Sequence, residues 1–193
     1  GVIPEKCDLN SILFLLTPAE NRNKLRFLTS QLVRFERFVD NDVPMQEVLL
    51  GVYNSHPARY AGYTIQQLCQ EMHDFYKERN VKELQKKLFR REYFPEYVMK
   101  PQEAQYAFIR GQRELVPLDE IEGRVALEGA LPYPPGVLCV VPGERWSHTA
   151  VQYFKALEEG LNELPGFASE IQGVYLEKEN DGHIRAYGYV LKE

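Results

Sequence analysis

The stretch from Ala130 to Glu144 limits the fold of this chain more than any other. Pro132, Pro134 and Pro135 stand directly before the apolar run Val137 to Val141, and Pro142-Gly143 ends that run. A proline pushes the residue before it out of the helical region, so Leu131, Tyr133 and Pro134 are expected to be extended. Gly136 to Val141 is then expected to form a buried strand.

The rest of the chain alternates helical and extended patterns around this point. Ile12 to Leu16 is an unbroken apolar run, read as a strand. Thr17 follows as an expected helix cap, with Pro18 in the first helical position and Glu20 closing a capping box. Leu25, Leu28, Leu32, Phe35 and Val39 then recur at spacings of three and four, which puts them on one helical face. Asn41-Asp42-Val43-Pro44 reads as a break and as a domain limit, giving residues 1–43 and 44–193. Thr64-Ile65-Gln66-Gln67 is a capping box ahead of a helix with Leu68, Met72 and Phe75 inward. Asn80-Val81-Lys82-Glu83 repeats that logic for Val81, Leu84 and Leu88, up to Pro95. Lys100-Pro101 starts a short helix through Ala104, Ala107 and Phe108. Ser147 caps another, with Val151, Phe154, Leu157 and Leu161 inward. Gln172 to Glu177 and Ile184 to Leu191 flank the turn cluster Glu179-Asn180-Asp181-Gly182 and are expected to pair as an antiparallel hairpin. The fold class is therefore α/β (α+β): the end of a small α/β domain, then a C-terminal two-layer domain of helices on a mostly antiparallel sheet.

With 193 residues, 44% hydrophobic and 26% charged, the chain can bury a core. A net charge of −5 argues against a nucleic-acid partner, since contact with a phosphate backbone needs a basic surface. Lys86-Lys87 and Arg90-Arg91 read as a solvated helix face. No apolar run is long enough to span a bilayer. Cys7, Cys69 and Cys139 are far apart and odd in number, which points to a reducing cytoplasm and away from a disulfide framework or structural zinc.

Few residues carry chemistry on their own. His56, His73, His148 and His183 have neither metal-ligand spacing nor an acidic cluster nearby, so no metal is expected. His73 beside Asp74 reads as a surface pair, and His148 would act as a general base only with a nucleophile brought from elsewhere. No serine sits in a Gly-x-Ser-x-Gly elbow. Phe89, Tyr93, Phe94 and Tyr97, interleaved with Arg90, Arg91 and Glu92, suit either an interface anchor or core packing around Pro95. Core is favoured for Phe94, and the tyrosines stay open between the two.

Val2-Ile3-Pro4-Glu5-Lys6, Asp8-Leu9-Asn10-Ser11-Ile12-Leu13-Phe14-Leu15 and Ala130 to Glu144 together resemble the C-terminal part of the bacterial ornithine/lysine/arginine decarboxylases. The first segments are closer to the ornithine branch, because the lysine and arginine enzymes more often read Gly-Pro-Tyr-Asn where Asp8 to Ser11 stand. The resemblance implies a pyridoxal-phosphate enzyme of fold type I, several times longer than this chain, whose cofactor domain precedes the part seen here. The chain is thus expected to be a fragment. None of its lysines follows a histidine, whereas the family's Schiff-base lysine sits in a Ser-x-His-Lys context, so no catalytic or cofactor-binding residue is assigned. The resemblance places Glu5 at the substrate's distal ammonium. A carboxylate there pairs strongly only if both charges are desolvated. It also implies a cytoplasmic homo-oligomer acting on ornithine, with a guanine nucleotide as effector in some members. The rival reading is a non-enzymatic module for oligomer contact or effector binding.

Overall fold

The computed structural model of the protein describes residues 2–7, 11–133, 135–167 and 169–193. They form two compact units, Gly1–Glu78 and Arg79–Glu193.

The first unit opens with a short antiparallel ribbon, β1 (Lys6–Cys7) and β2 (Ile12–Leu13), in register Lys6 to Leu13 and Cys7 to Ile12. The expected strand is therefore cut short, and Leu15 and Leu16 lie beyond it, exposed. The helix α1 (Arg22–Asp40) starts four residues after the expected Pro18. Thr17 instead closes a turn through the Glu20 N–H (3.0 Å), and Asn21 caps the helix by accepting from the Asn23 and Lys24 N–H groups. Asparagine satisfies two orphan donors at once, while the Thr17 hydroxyl is turned to the Glu20 carboxylate at 3.4 Å. α1 buries none of its 19 residues: Leu28 and Val39 are half-buried, whereas Leu25, Leu32 and Phe35 are exposed.

The break at Asn41 to Pro44 forms as expected. Asp42 adopts a left-handed φ of 48°, and the Val43 N–H reaches back to Phe38 O at 3.0 Å, a Schellman-type ending with Asp in place of Gly. Two short helices follow, α2 (Met45–Val48) and α3 (Leu50–Ser55), and then α4 (Ile65–Glu78). The capping box of α4 is complete, with Thr64 N–H on Gln67 Oε1 at 3.1 Å and Gln67 N–H on Thr64 Oγ1 at 3.3 Å. Met45, Tyr60, Ile65, Leu68 and Phe75 are this unit's buried side chains. Met72, expected inward, is half-buried.

The second unit begins with α5 (Val81–Leu88) and a 3₁₀ turn (Arg91–Tyr93), then α6 (Pro101–Ile109), β3 (Arg113–Pro117), β4 (Leu131–Tyr133), α7 (His148–Glu163), β5 (Glu170–Gln172), β6 (Tyr175–Lys178) and β7 (Ile184–Leu191). The main sheet runs β3-β7-β6, antiparallel throughout, and β4 pairs antiparallel with β5. β6 and β7 are the expected hairpin, although Gln172 belongs to β5. Ser147 caps α7 through the Ala150 N–H, and α7 buries Val151, Phe154 and Leu157. It packs on α5 and β7. Trp146 meets Phe154 edge to face at 5.3 Å, with Leu118, Ile121, Ala186 and Val190 buried in the same unit.

Three expectations need correction in this unit. Gly136 to Val141 does not form a strand. Gly136 turns the chain at φ 76°, Val137 and Leu138 are exposed, and only Val140 is bridged, to Ala130. The extended segment is the proline-bearing one, Leu131–Tyr133, while Pro134 lies outside the described residues. Asn80 precedes α5 in a left-handed conformation (φ 53°) with no side-chain cap bond. Phe94, expected in the core, is 57% exposed. The segment after it is tied to residues 143–145, where Val98 and Met99 N–H both bond Gly143 O and Arg145 N–H bonds Glu96 O.

That strap requires Gly143. Its φ is 92°, and a Cβ there would lie 2.1 Å from Met99 O.

Candidate functional site

Glu5 stands just before β1, where its N–H donates to Leu13 O at 2.8 Å and its side chain is exposed. The ribbon fixes the backbone at this position, so the direction of the carboxylate is set by pairing between β1 and β2. Close by in the same unit, Val2, Ile3, Phe14, Leu15, Leu25 and Phe27 contribute to an apolar groove of about 510 Å³. Glu5 does not line it.

The ionisable groups of the second unit are engaged in ways that hold the fold. Lys155 pairs with Asp119 at 2.5 Å, and this bond raises the amine above its ordinary value and lowers the carboxyl. A Schiff-base lysine needs the opposite, an amine that sheds its proton readily. Arg185 shares Asp119 at 3.2 Å. Glu158 and Asn162, one turn apart on α7, serve the part of β7 that runs past the end of β3. Ala186 N–H donates to Glu158 (2.8 Å), Ile184 N–H donates to Asn162 Oδ1 (2.7 Å), and Asn162 Nδ2 donates to Ile184 O (2.8 Å). Burial pushes the Glu158 carboxyl up.

The other candidate groups lack reactive settings. Burial raises the Cys139 thiol to about 12 and also raises Cys69, so neither is an activated thiolate. His148 lies 3.0 Å from Glu122 on the surface. Asp74, beside His73, accepts from Gln70 at 2.9 Å. Among the described residues there is no cluster of three or more metal-ligating side chains, and no helix is long and apolar enough to cross a membrane.

Phe89, Tyr93, Phe94 and Tyr97 are all exposed, by 37–61%. The alternation of aromatic and charged residues was the visible signal for this. What the sequence did not show was the bonding of the following segment, through Glu96, Val98 and Met99, to Gly143 and Arg145.

Residues 82–192 match the model of the Orn/Lys/Arg decarboxylase C-terminal domain. The whole chain is 64% identical over 193 residues to the ornithine decarboxylase of Haemophilus influenzae. It is 62% identical over 192 residues to the inducible ornithine decarboxylase of Escherichia coli. It covers 27% and 26% of these two proteins, so it spans about a quarter of the length of the curated relatives it matches. Among solved structures, lysine decarboxylase A from Pseudomonas aeruginosa superposes with a TM-score of 0.89 at 30% identity, covering 100% of this chain and 26% of that one. Matching over more than half its length to the family's C-terminal domain, and by sequence and structure over the whole, the chain belongs to the Orn/Lys/Arg decarboxylase family.

Proposed function

We propose that this chain is the C-terminal part of a pyridoxal-phosphate ornithine decarboxylase, converting L-ornithine to putrescine and CO₂ in polyamine synthesis. The observation that carries the reading is identity of 62–64% to ornithine decarboxylases, against 30% to a lysine decarboxylase structure, over equivalent coverage of the chain. The cofactor would act as electron sink for the carbanion left by decarboxylation. The residues described here offer no match to the family's Schiff-base context, since no lysine follows a histidine and Lys155 is paired with Asp119.

In this reading the chain contributes shape and charge. Glu5 meets the distal ammonium of ornithine once the remainder of the enzyme shields it from water. Residues 1–43 complete the small domain, and the bare apolar face of α1 is where they pack against it. Residues 44–193 form the C-terminal domain. The assembly is a cytoplasmic homo-oligomer, with a guanine nucleotide as its candidate effector.

Borohydride reduction followed by peptide mass mapping tests this. In the full-length protein one pyridoxyl adduct is expected, on a lysine outside these 193 residues. An adduct on a lysine of this chain, abolished by mutating that lysine, would overturn the reading.

A further inference from the structure

Between α6, residues 127–129 and Pro142 lies a pocket of about 620 Å³, a volume that suits a small ligand. Phe108, Leu127 and Pro142 give it apolar walls. The Phe108 ring is held in place by the Arg113 guanidinium, 4.3 Å from its centre, and by an edge contact with Tyr189 at 5.1 Å. Gly129 and Gly173 close one side by backbone contact alone. A Cβ on Gly173, whose φ is 78°, would lie 1.8 Å from Gly129 O, so this wall carries no side chain.

The polar groups of this pocket are acceptors. Glu128 accepts from the Tyr175 hydroxyl on one oxygen at 2.9 Å, and its other oxygen has no hydrogen-bond partner among the described residues. The Gln102 amide nitrogen donates to the Tyr106 hydroxyl at 3.2 Å, which leaves the Gln102 carbonyl oxygen to accept. Gln105 adds a second carboxamide. Among the described residues no lysine, arginine or histidine lines the pocket. Glu103, in the first turn of α6, offsets the positive end of that helix. One carboxylate, further oxygen acceptors and apolar walls together match a ligand with one positive charge, several N–H donors and a hydrocarbon body. A primary ammonium on an alkyl chain has all three. A free amino acid brings a carboxylate that Glu128 repels, and a phosphate meets no cation here.

We infer that this pocket binds a primary alkylammonium ion, with its head on Glu128 and Gln102 and its chain along Phe108, Leu127 and Pro142. The site is separate from Glu5, which lies in the other unit. It needs no cofactor and performs no reaction, so it stands whether or not the proposed decarboxylation does.

Photoaffinity labelling of the full-length protein tests this, because mapped adducts separate the pocket from any other amine site. Three probes of equal size are used, a short alkyl diazirine ending in an amine, in an alcohol or in a carboxylic acid. Adducts are counted by mass spectrometry on Gln105 to Ile109, a stretch without a carboxylate to bias the labelling. The amine probe is expected to label this stretch about tenfold more than the alcohol or the acid. Butylamine should compete with it, and butanol should not. Glu128→Gln, which keeps an acceptor for Tyr175, should cut amine labelling about tenfold with an unchanged circular dichroism spectrum. Equal labelling by the three probes, competition by butanol as strong as by butylamine, amine labelling unchanged in Glu128→Gln, or no adducts on this stretch would each overturn the inference.

Discussion

Glu5 illustrates how much a single residue depends on its surroundings. In the proposed role, its exposed carboxylate gains electrostatic leverage only when a substrate ammonium and the rest of an enzyme exclude water from it. Breaking a desolvated ion pair costs on the order of 3–5 kcal/mol, and an open substrate entrance reduces that to about 2–3. Glu5→Gln is therefore expected to lower kcat/KM for ornithine in the full-length enzyme by roughly 30- to 150-fold, with normal cofactor absorbance. A steady-state assay that finds a change within about threefold would return Glu5 to an ordinary loop carboxylate. Gly143 makes a purely steric prediction. It and Gly111 both have positive φ, but a Cβ on Gly111 meets nothing within 4 Å, whereas on Gly143 it meets Met99 O at 2.1 Å. Urea unfolding should show Gly111→Ala costing about 1–2 kcal/mol and Gly143→Ala about 3 kcal/mol or more. Equal costs would mean that the strap yields freely. Acidic groups in the second unit should respond to pH in opposite directions. Asp119 is depressed, first by its bond to Lys155, so its contribution is present above the ordinary value of 3.8 and is lost as pH falls through the folded value. Glu158 is raised by burial, so its protonated form favours the fold, and that stability is lost as pH climbs from 4.5 through its folded value. Unfolding followed against pH should show Asp119→Asn less stable than wild type at neutral pH and converging with it in acid. Glu158→Gln should gain relative to wild type as pH rises.

At the scale of elements, the sequence was most readable where a local chemical rule had no competitor. The Thr64/Gln67 box, the Ser147 cap and the Glu179 to Gly182 turn all formed as expected, because each is satisfied by atoms within four residues. Ser147→Ala should accordingly cost about 1 kcal/mol, measurable by denaturation, with α7 still formed. Rules failed where two neighbours offered the same service. Thr17 and Asn21 both suit a cap, and Asn21 prevailed with two backbone donors. They failed again where the deciding partner was distant in sequence. The apolar run at Val137 to Val141 folds back on Ala130 instead of extending, and the segment following the exposed Phe94 is bound through Glu96, Val98 and Met99 to Arg145 and Gly143, more than forty residues away. Resemblance alone drew attention to Glu5, since nothing in the spacing of a loop glutamate marks it out.

The whole molecule differs in completeness between its two units. The second has a packed centre around Trp146, Phe154 and Val190, while the first carries a 19-residue helix with no buried residue and a ribbon with exposed Ile12 and Leu13. Apolar surface on that scale marks an interaction site or an aggregation liability. The isolated chain is expected to bind an apolar dye and to self-associate with rising concentration. Sedimentation showing a strict monomer, without dye binding, would contradict the packing role assigned to α1. The central claim is that this chain belongs to an ornithine decarboxylase whose chemistry resides elsewhere in the polypeptide. Release of CO₂ from carboxyl-labelled ornithine and lysine, by the full-length protein and by the isolated chain with added pyridoxal phosphate, addresses it directly. The account predicts release by the full-length protein, with ornithine strongly preferred over lysine, and none by the chain alone. Turnover by the isolated chain, or a full-length protein that prefers lysine, would contradict it.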